Sequence, residues 1–139
     1  MPRLTTHDLH ALLAERHAGS TAMTIELIDA AEPAINLVLH DYGDMEVQIA
    51  ASGAQVFVST VLAPADRVSD RAGLNDACMR LNPLNPLSNL GLMHSDGQDL
   101  YVVFGELSSS SEIEQIDEEI QALADNTIAA VESLKPFFR

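Results

Sequence analysis

LNPLNPLSNLGLMHSDGQDLYVVFGEL, residues 81–107, carries the reading that decides the fold. Pro83 and Pro86 each remove a backbone donor and push the residue before them out of helical conformation. A helix arriving at Leu81 therefore stops there, and Asn82–Asn89 forms an Asn- and Ser-rich turn. Beyond it, Leu90–His94 and Leu100–Gly105 read as two strands around the turn Ser95–Asp99, and Tyr101–Phe104 is the most strand-prone run in the chain. The stretch thus links a helix, a loop and a hairpin.

Downstream, Ser108–Ser111 precedes a helix of about 25 residues with Ser111 and Glu114 at capping-box spacing. Ile113, Ile116, Ile120, Leu123, Thr127, Val131 and Leu134 recur every three or four residues, and Glu112, Glu114, Asp117, Glu118 and Glu119 mark its solvated side. Pro136 closes it. Upstream, a helix over Arg67–Leu81 capped by Asp66 fits the apolar positions Val68, Leu74, Ala77, Cys78 and Leu81. Gly73 is an internal weakness of about 1 kcal/mol relative to Ala. Four strands come earlier: Met23–Ile28, Ile35–His40, Met45–Ala50 and Gln55–Leu62, separated by Asp29–Pro33, Asp41–Asp44 and Ser52–Gly53. A first helix over His7–His17, capped by Thr5 or Thr6, carries Leu9, Leu12, Leu13 and Arg16 at helical spacing.

The order is α-β-β-β-β-α-β-β-α, with short alternating strands and no βαβ pattern. It predicts one α+β domain spanning residues 1–139, an antiparallel or mixed twisted sheet with its helices mainly on one face. With 47% apolar residues the chain can fill a core, built from aliphatics because aromatics are only 4% and Trp is absent.

The formal charge of −14 divides unevenly: residues 1–95 hold 11 acids and 5 bases, residues 96–139 hold 10 acids and 2 bases. Such a surface repels phosphate backbones and anionic lipid, which argues against nucleic-acid binding and against membrane attachment, and suits a basic partner. No apolar run reaches the roughly 18 residues of a membrane span, and no signal-peptide core follows the N-terminus. A cytoplasmic protein is expected, with no internal disulfide because Cys78 is single.

No constellation for chemistry emerges. His7, His10 and His17 share a helix face without the H-E-x-x-H spacing or a nearby Cys, so a solvated face outweighs a metal site. Cys78 falls late in its helix, where the dipole raises a thiol pKa, and reads as a small buried side chain. The glycines lack phosphate-loop spacing, no G-x-S-x-G occurs, and the Glu112–Glu119 acids lie around a helix rather than in a calcium loop. Neither a catalytic residue nor a cofactor is predicted. The last helix has an apolar stripe of about six turns, which either lies wholly on its own sheet or packs in part on a second subunit or an amphipathic partner helix. Phe137-Phe138-Arg139 is either a core plug or an exposed contact.

The segments LNPLNPLSNLGL at 81–92, YVVFGELSSSSEIEQI at 101–116 and EIQALADNTIAA at 119–130 resemble the bacterial YjfI family, a domain of unknown function. The element order is also similar to the type III secretion chaperone-like fold. The resemblance implies a cytoplasmic, non-enzymatic adaptor or chaperone-like homodimer, linked through its gene neighbourhood to a phage-shock-protein-A-like coiled-coil stress protein. It carries over no catalytic residue. The contact site expected on this reading is the polar turn, Asn82, Pro83, Asn85, Pro86, Ser88 and Asn89. The alternative is a small-molecule binder or minor enzyme using the clustered donors and acceptors of the same loop.

Overall fold

The computed structural model describes residues 3–138. Helix α1, Thr6–Arg16, is closed at its start by reciprocal bonds. The Asp8 amide donates to Thr5 Oγ1 at 3.1 Å, and the Thr5 amide donates to Asp8 Oδ2 at 2.9 Å. Strands β1 (Met23–Ile28), β2 (Ala34–Leu39), β3 (Met45–Ser52) and β4 (Gln55–Pro64) follow as a meander. Helix α2 (Arg71–Leu81), strands β5 (Asn89–Ser95) and β6 (Gln98–Ser108), and helix α3 (Ile113–Leu134) complete the chain. The expected order of elements is the observed one, and the sheet is antiparallel throughout.

Its strand order is β1-β2-β3-β4-β6-β5. The chain leaves β4, crosses by α2 to the far edge as β5, and turns back so that β6 fills the place beside β4. Two-residue turns make this economical: Asp96 and Gly97 have φ of +50° and +80°, the pair of left-handed residues that suits a twisted hairpin. Register then sets the faces. Leu37 opposite Val47, Ile49 opposite Val58 and Leu90 opposite Val103 form buried rows under the helices, completed by Leu9, Leu13, Leu74, Ile116, Leu123 and Leu134. The opposite face carries no helix among the described residues. On it Phe57 and Phe104 stack with ring centres 5.5 Å apart, while Asn36, Glu46 and Gln48 form a hydrogen-bonded polar row.

The structure corrects several boundaries. Asp66 does not cap α2: Ala65–Arg67 is a 3-10 turn, and Asp70 accepts from the Gly73 amide at 3.0 Å instead. Gly73 is no weakness there, because a Cβ at that position would collide with the capping carboxylate of Asp70. Ser111 does not cap α3 either. Glu112 is the N-cap, and its amide donates to Gln115 Oε1 at 3.0 Å. The serine run is spent elsewhere: buried Ser109 accepts the Leu4 amide and donates, by amide and hydroxyl, to the carbonyls of Ala54 and Gly53. His40 lies beyond β2 in a 3-10 turn, and Arg16 leaves the apolar stripe of α1 to reach Asp117 on α3. Glu119, expected in solvent, is buried. The long stripe of α3 lies on its own sheet except at Val131, which is exposed beside Ile128. Phe137 and Phe138 pack against the core, and Arg139 lies outside the described residues.

Candidate partner-binding site

Residues 82–89 connect the end of α2 to the edge strand β5, and the side chains of Asn82 and Ser88 are engaged in fixing the loop. Asn82 is bonded twice to one residue. Its Nδ2 donates to the Leu90 carbonyl at 3.1 Å, and its Oδ1 accepts the Leu90 amide at 2.6 Å. Ser88 is 2% exposed, and its Oγ accepts from Asn126 Nδ2 on α3 at 3.0 Å. The same amide group donates to the Pro86 carbonyl at 2.6 Å. Pro83 sits in a 3-10 turn over Asn82–Leu84 that continues α2 by one tighter turn. Thus the loop expected to be free of helix begins with a helical turn, and Asn89 is already the first residue of β5.

What this loop shows to solvent is mostly apolar. Leu84 is 76% exposed and Leu87 62%. Leu87 also has φ of +67°, a left-handed conformation that costs a bulky residue roughly 1–2 kcal/mol. A leucine held in solvent at an unfavourable backbone angle contributes nothing to the core. Met79 on α2 and Leu92 on β5 extend the patch, 74% and 45% exposed. Between them runs a concavity of about 180 Å³ floored by Cys78, Leu90 and Tyr101. Its polar walls are already engaged: Tyr101 Oη donates to Asn75 Oδ1 at 2.5 Å, and Asn82 holds Leu90. That space fits an apolar side chain better than a polar small molecule. Burial pushes the Cys78 thiol up, away from the thiolate a nucleophile would need.

Of the six residues singled out in the sequence, Asn82, Pro86 and Ser88 shape the loop. Pro83, Pro86 and Asn89 are exposed, while Asn85 is half-buried. The residues that present a surface, Leu84, Leu87, Met79 and Leu92, were missed. The available signal was leucine beside proline in a stretch that the turn residues had already explained.

A larger concavity of about 390 Å³ opens at the other side of the molecule, between α1, the start of β1 and α3. It is closed chemically by its own ion pairs. Asp117 takes Arg16 on one oxygen and His17 Nε2 on the other at 2.8 Å, and Tyr42 Oη donates to Asp125 at 2.7 Å. The histidines of α1 do not converge: His7 meets Asp29 at 3.3 Å while His17 meets Asp117. Among the described residues no three metal-ligating side chains come together, and no helix is long and apolar enough to cross a membrane.

A six-stranded antiparallel sheet with three helices among the described residues makes this an α+β protein with the type III secretion chaperone-like fold. Over residues 3–138 the chain matches, and belongs to, the family described as an uncharacterized protein conserved in bacteria (DUF2170). A relative in Escherichia coli, YjfI, is 32% identical over 101 residues, covering 73% of this chain and 76% of the relative. Among solved structures, YbjN from E. coli is similar with a TM-score of 0.69 over 98% of this chain and 96% of its own, at 14% identity. A chain of the HopA1–SchA chaperone–effector complex gives 0.59 at 14% identity, covering 87% and 91%. One from the heterodimeric ExoU–SpcU complex of the Pseudomonas aeruginosa type III secretion system gives 0.51 at 15%, covering 91% and 98%. At such identities the likeness is one of fold.

Proposed function

We propose that this protein is a cytoplasmic, non-enzymatic protein-binding module of chaperone-like type. It captures an apolar segment of a partner on the clamped leucine loop and the groove between α2 and β5. One observation carries the reading: the hydrogen-bonding side chains of Asn82, Ser88 and Asn126 are spent on fixing the loop, and the shape so fixed holds Leu84 and Leu87 out in solvent. Burying both leucines against a partner is worth on the order of 3–6 kcal/mol before ordering costs, enough to repay the strain at Leu87. The HopA1–SchA chaperone–effector complex and the ExoU–SpcU heterodimer, each with a chain of similar fold, support the reading by analogy. A homodimer fits the same patch, since two copies carrying −14 each can meet only where charge is absent, and residues 81–93 contain no charged side chain.

The resemblance puts a phage-shock-protein-A-like coiled-coil protein first among candidate partners. Titrating purified wild-type protein with it by calorimetry, beside a Leu84→Ser, Leu87→Asn double variant, tests the reading. Asn is tolerated at positive φ, so the variant keeps the loop. Binding by wild type and its loss in the variant are expected; equal binding by both would remove the patch from the mechanism. Sedimentation of the same two proteins reports whether the dimer shares the surface.

A further inference from the structure

Glu119 lies midway along α3 on the side facing β6. It is 6% exposed, and its Oε2 has no hydrogen-bond partner among the described residues. Position 105 of β6 leaves room for it. A Cβ on Gly105 would stand 2.8 Å from Glu119 Oε1 and 3.3 Å from the Leu87 carbonyl oxygen, so the carboxyl and the loop backbone share the space a side chain would fill. Two turns further along the same side of α3, Asn126 grips Pro86 and Ser88. The leucine loop is therefore tied at one point by an amide and rests at another near a carboxyl with nothing to answer its charge.

We propose that Glu119 is a pH-sensitive latch of the leucine loop. Neutral, it lets residues 86–89 close on α3 and β6; ionised, it sets an uncompensated charge beneath them, loosens the loop and weakens its hold on a partner. Only the last clause rests on the partner-binding reading. Among the described residues no base faces the group. Glu118 on its own helix adds negative charge, Glu106 on β6 points to the opposite face by strand alternation, and residues 82–89 contain no titratable side chain. Arg16 and His17 of α1 are engaged by Asp117.

Burial, with a smaller push from Glu118, raises the carboxyl above the ordinary glutamate value of 4.5. A raised folded-state pKa means the folded protein binds more protons than the unfolded chain. The stabilising contribution is complete below the unfolded value and is lost as pH climbs through the folded one. Amide hydrogen exchange between pH 5 and pH 8, corrected for intrinsic rates, tests the latch on wild type and on Glu119→Gln, which keeps the size without the charge. In wild type, protection at residues 87–90 is expected to fall by about tenfold per unit of pKa displacement. In Glu119→Gln the fall should vanish, and its Tm at pH 8 should exceed wild type by roughly 2–6 °C, the gap closing toward pH 4.5. Gly105→Ala, which displaces the carboxyl, should leave the loop loose at every pH. The same pH dependence in wild type and Glu119→Gln, or a wild-type dependence retained by Gly105→Ala, would each overturn the latch. No partner is present in the measurement, so its failure leaves the docking reading standing, and a failed docking test leaves the latch measurable.

Discussion

The sheet has two edges, β1 and β5, and they are finished in opposite ways. Along β1 half-buried and exposed residues alternate, Glu26 sits mid-strand, α1 packs over it, and the concavity beside it is stitched by Arg16, His17 and Asp117. Along β5 the residues from Leu92 to Ser95 are exposed, none bears a fixed charge, and Leu92 and Met93 stand in solvent. An edge strand is a row of unpaired amides and carbonyls that proteins usually blunt with charge or cover. Here one edge is blunted and the other is furnished with leucines and methionines. The difference teaches that the open edge is a tolerated exposure at one place rather than a general looseness of the fold.

The difference can be broken most forcefully at the leucines. Leu84→Ser with Leu87→Asn should weaken partner binding by about thirtyfold or more, the roughly 2 kcal/mol of a hot-spot residue, while Thr24→Lys and Ile28→Ser on the β1 edge leave it unchanged. Equal damage from the β1 variants, read by calorimetry, would erase the contrast. Next in size, Asn82→Ala should cost about 2 kcal/mol in urea unfolding, because it strands both the amide and the carbonyl of buried Leu90. Its counterpart Thr24→Ala, losing an exposed bond to His40 Nε2, should cost within about 0.5 kcal/mol. Asn126→Ala should cost about 1 kcal/mol and speed amide exchange at Ser88 more than anywhere in β1. The smallest effect concerns Cys78 in the floor of the apolar groove. Its raised pKa should keep it nearly unreactive to a disulfide reagent at pH 7.5, with reaction quickening as pH rises, and a bound partner should slow it further.

Much of this fold was legible in the sequence because its cues are local. Period-two strands, Gly-centred turns and the prolines after Leu81 each act over a few residues, and the helices and strands appear in the expected order, with α2 starting at Arg71 rather than Arg67. Cap positions failed where several capping residues competed. Asp66 and Ser111 have suitable chemistry, but Asp70 lies at the correct distance from the Gly73 amide, and the Ser109 region is drawn to the β3–β4 turn. The site was only half legible. Asn82–Asn89 was correctly the place to look, yet the fate of its polar groups depends on Asn126, some 40 residues away, and on Leu90 across the loop. Glu119 followed the charge pattern of its helix, and its burial is explained only by Gly105 on another element.

Ser109 joins three distant parts of the chain, the residues at 4, 53–54 and 109, through one backbone carbonyl, one amide and one hydroxyl. None of these bonds can form until β3, β4 and β6 are already side by side, so the junction belongs to the last stage of assembly. Contacts absent from the folding transition state govern how fast a protein comes apart rather than how fast it forms. Ser109→Ala should therefore raise only the unfolding limb of a chevron plot, increasing the unfolding rate several-fold and leaving the refolding rate as it was. In a domain whose leucine edge is left open, the junction is expected to lengthen the life of each folded molecule.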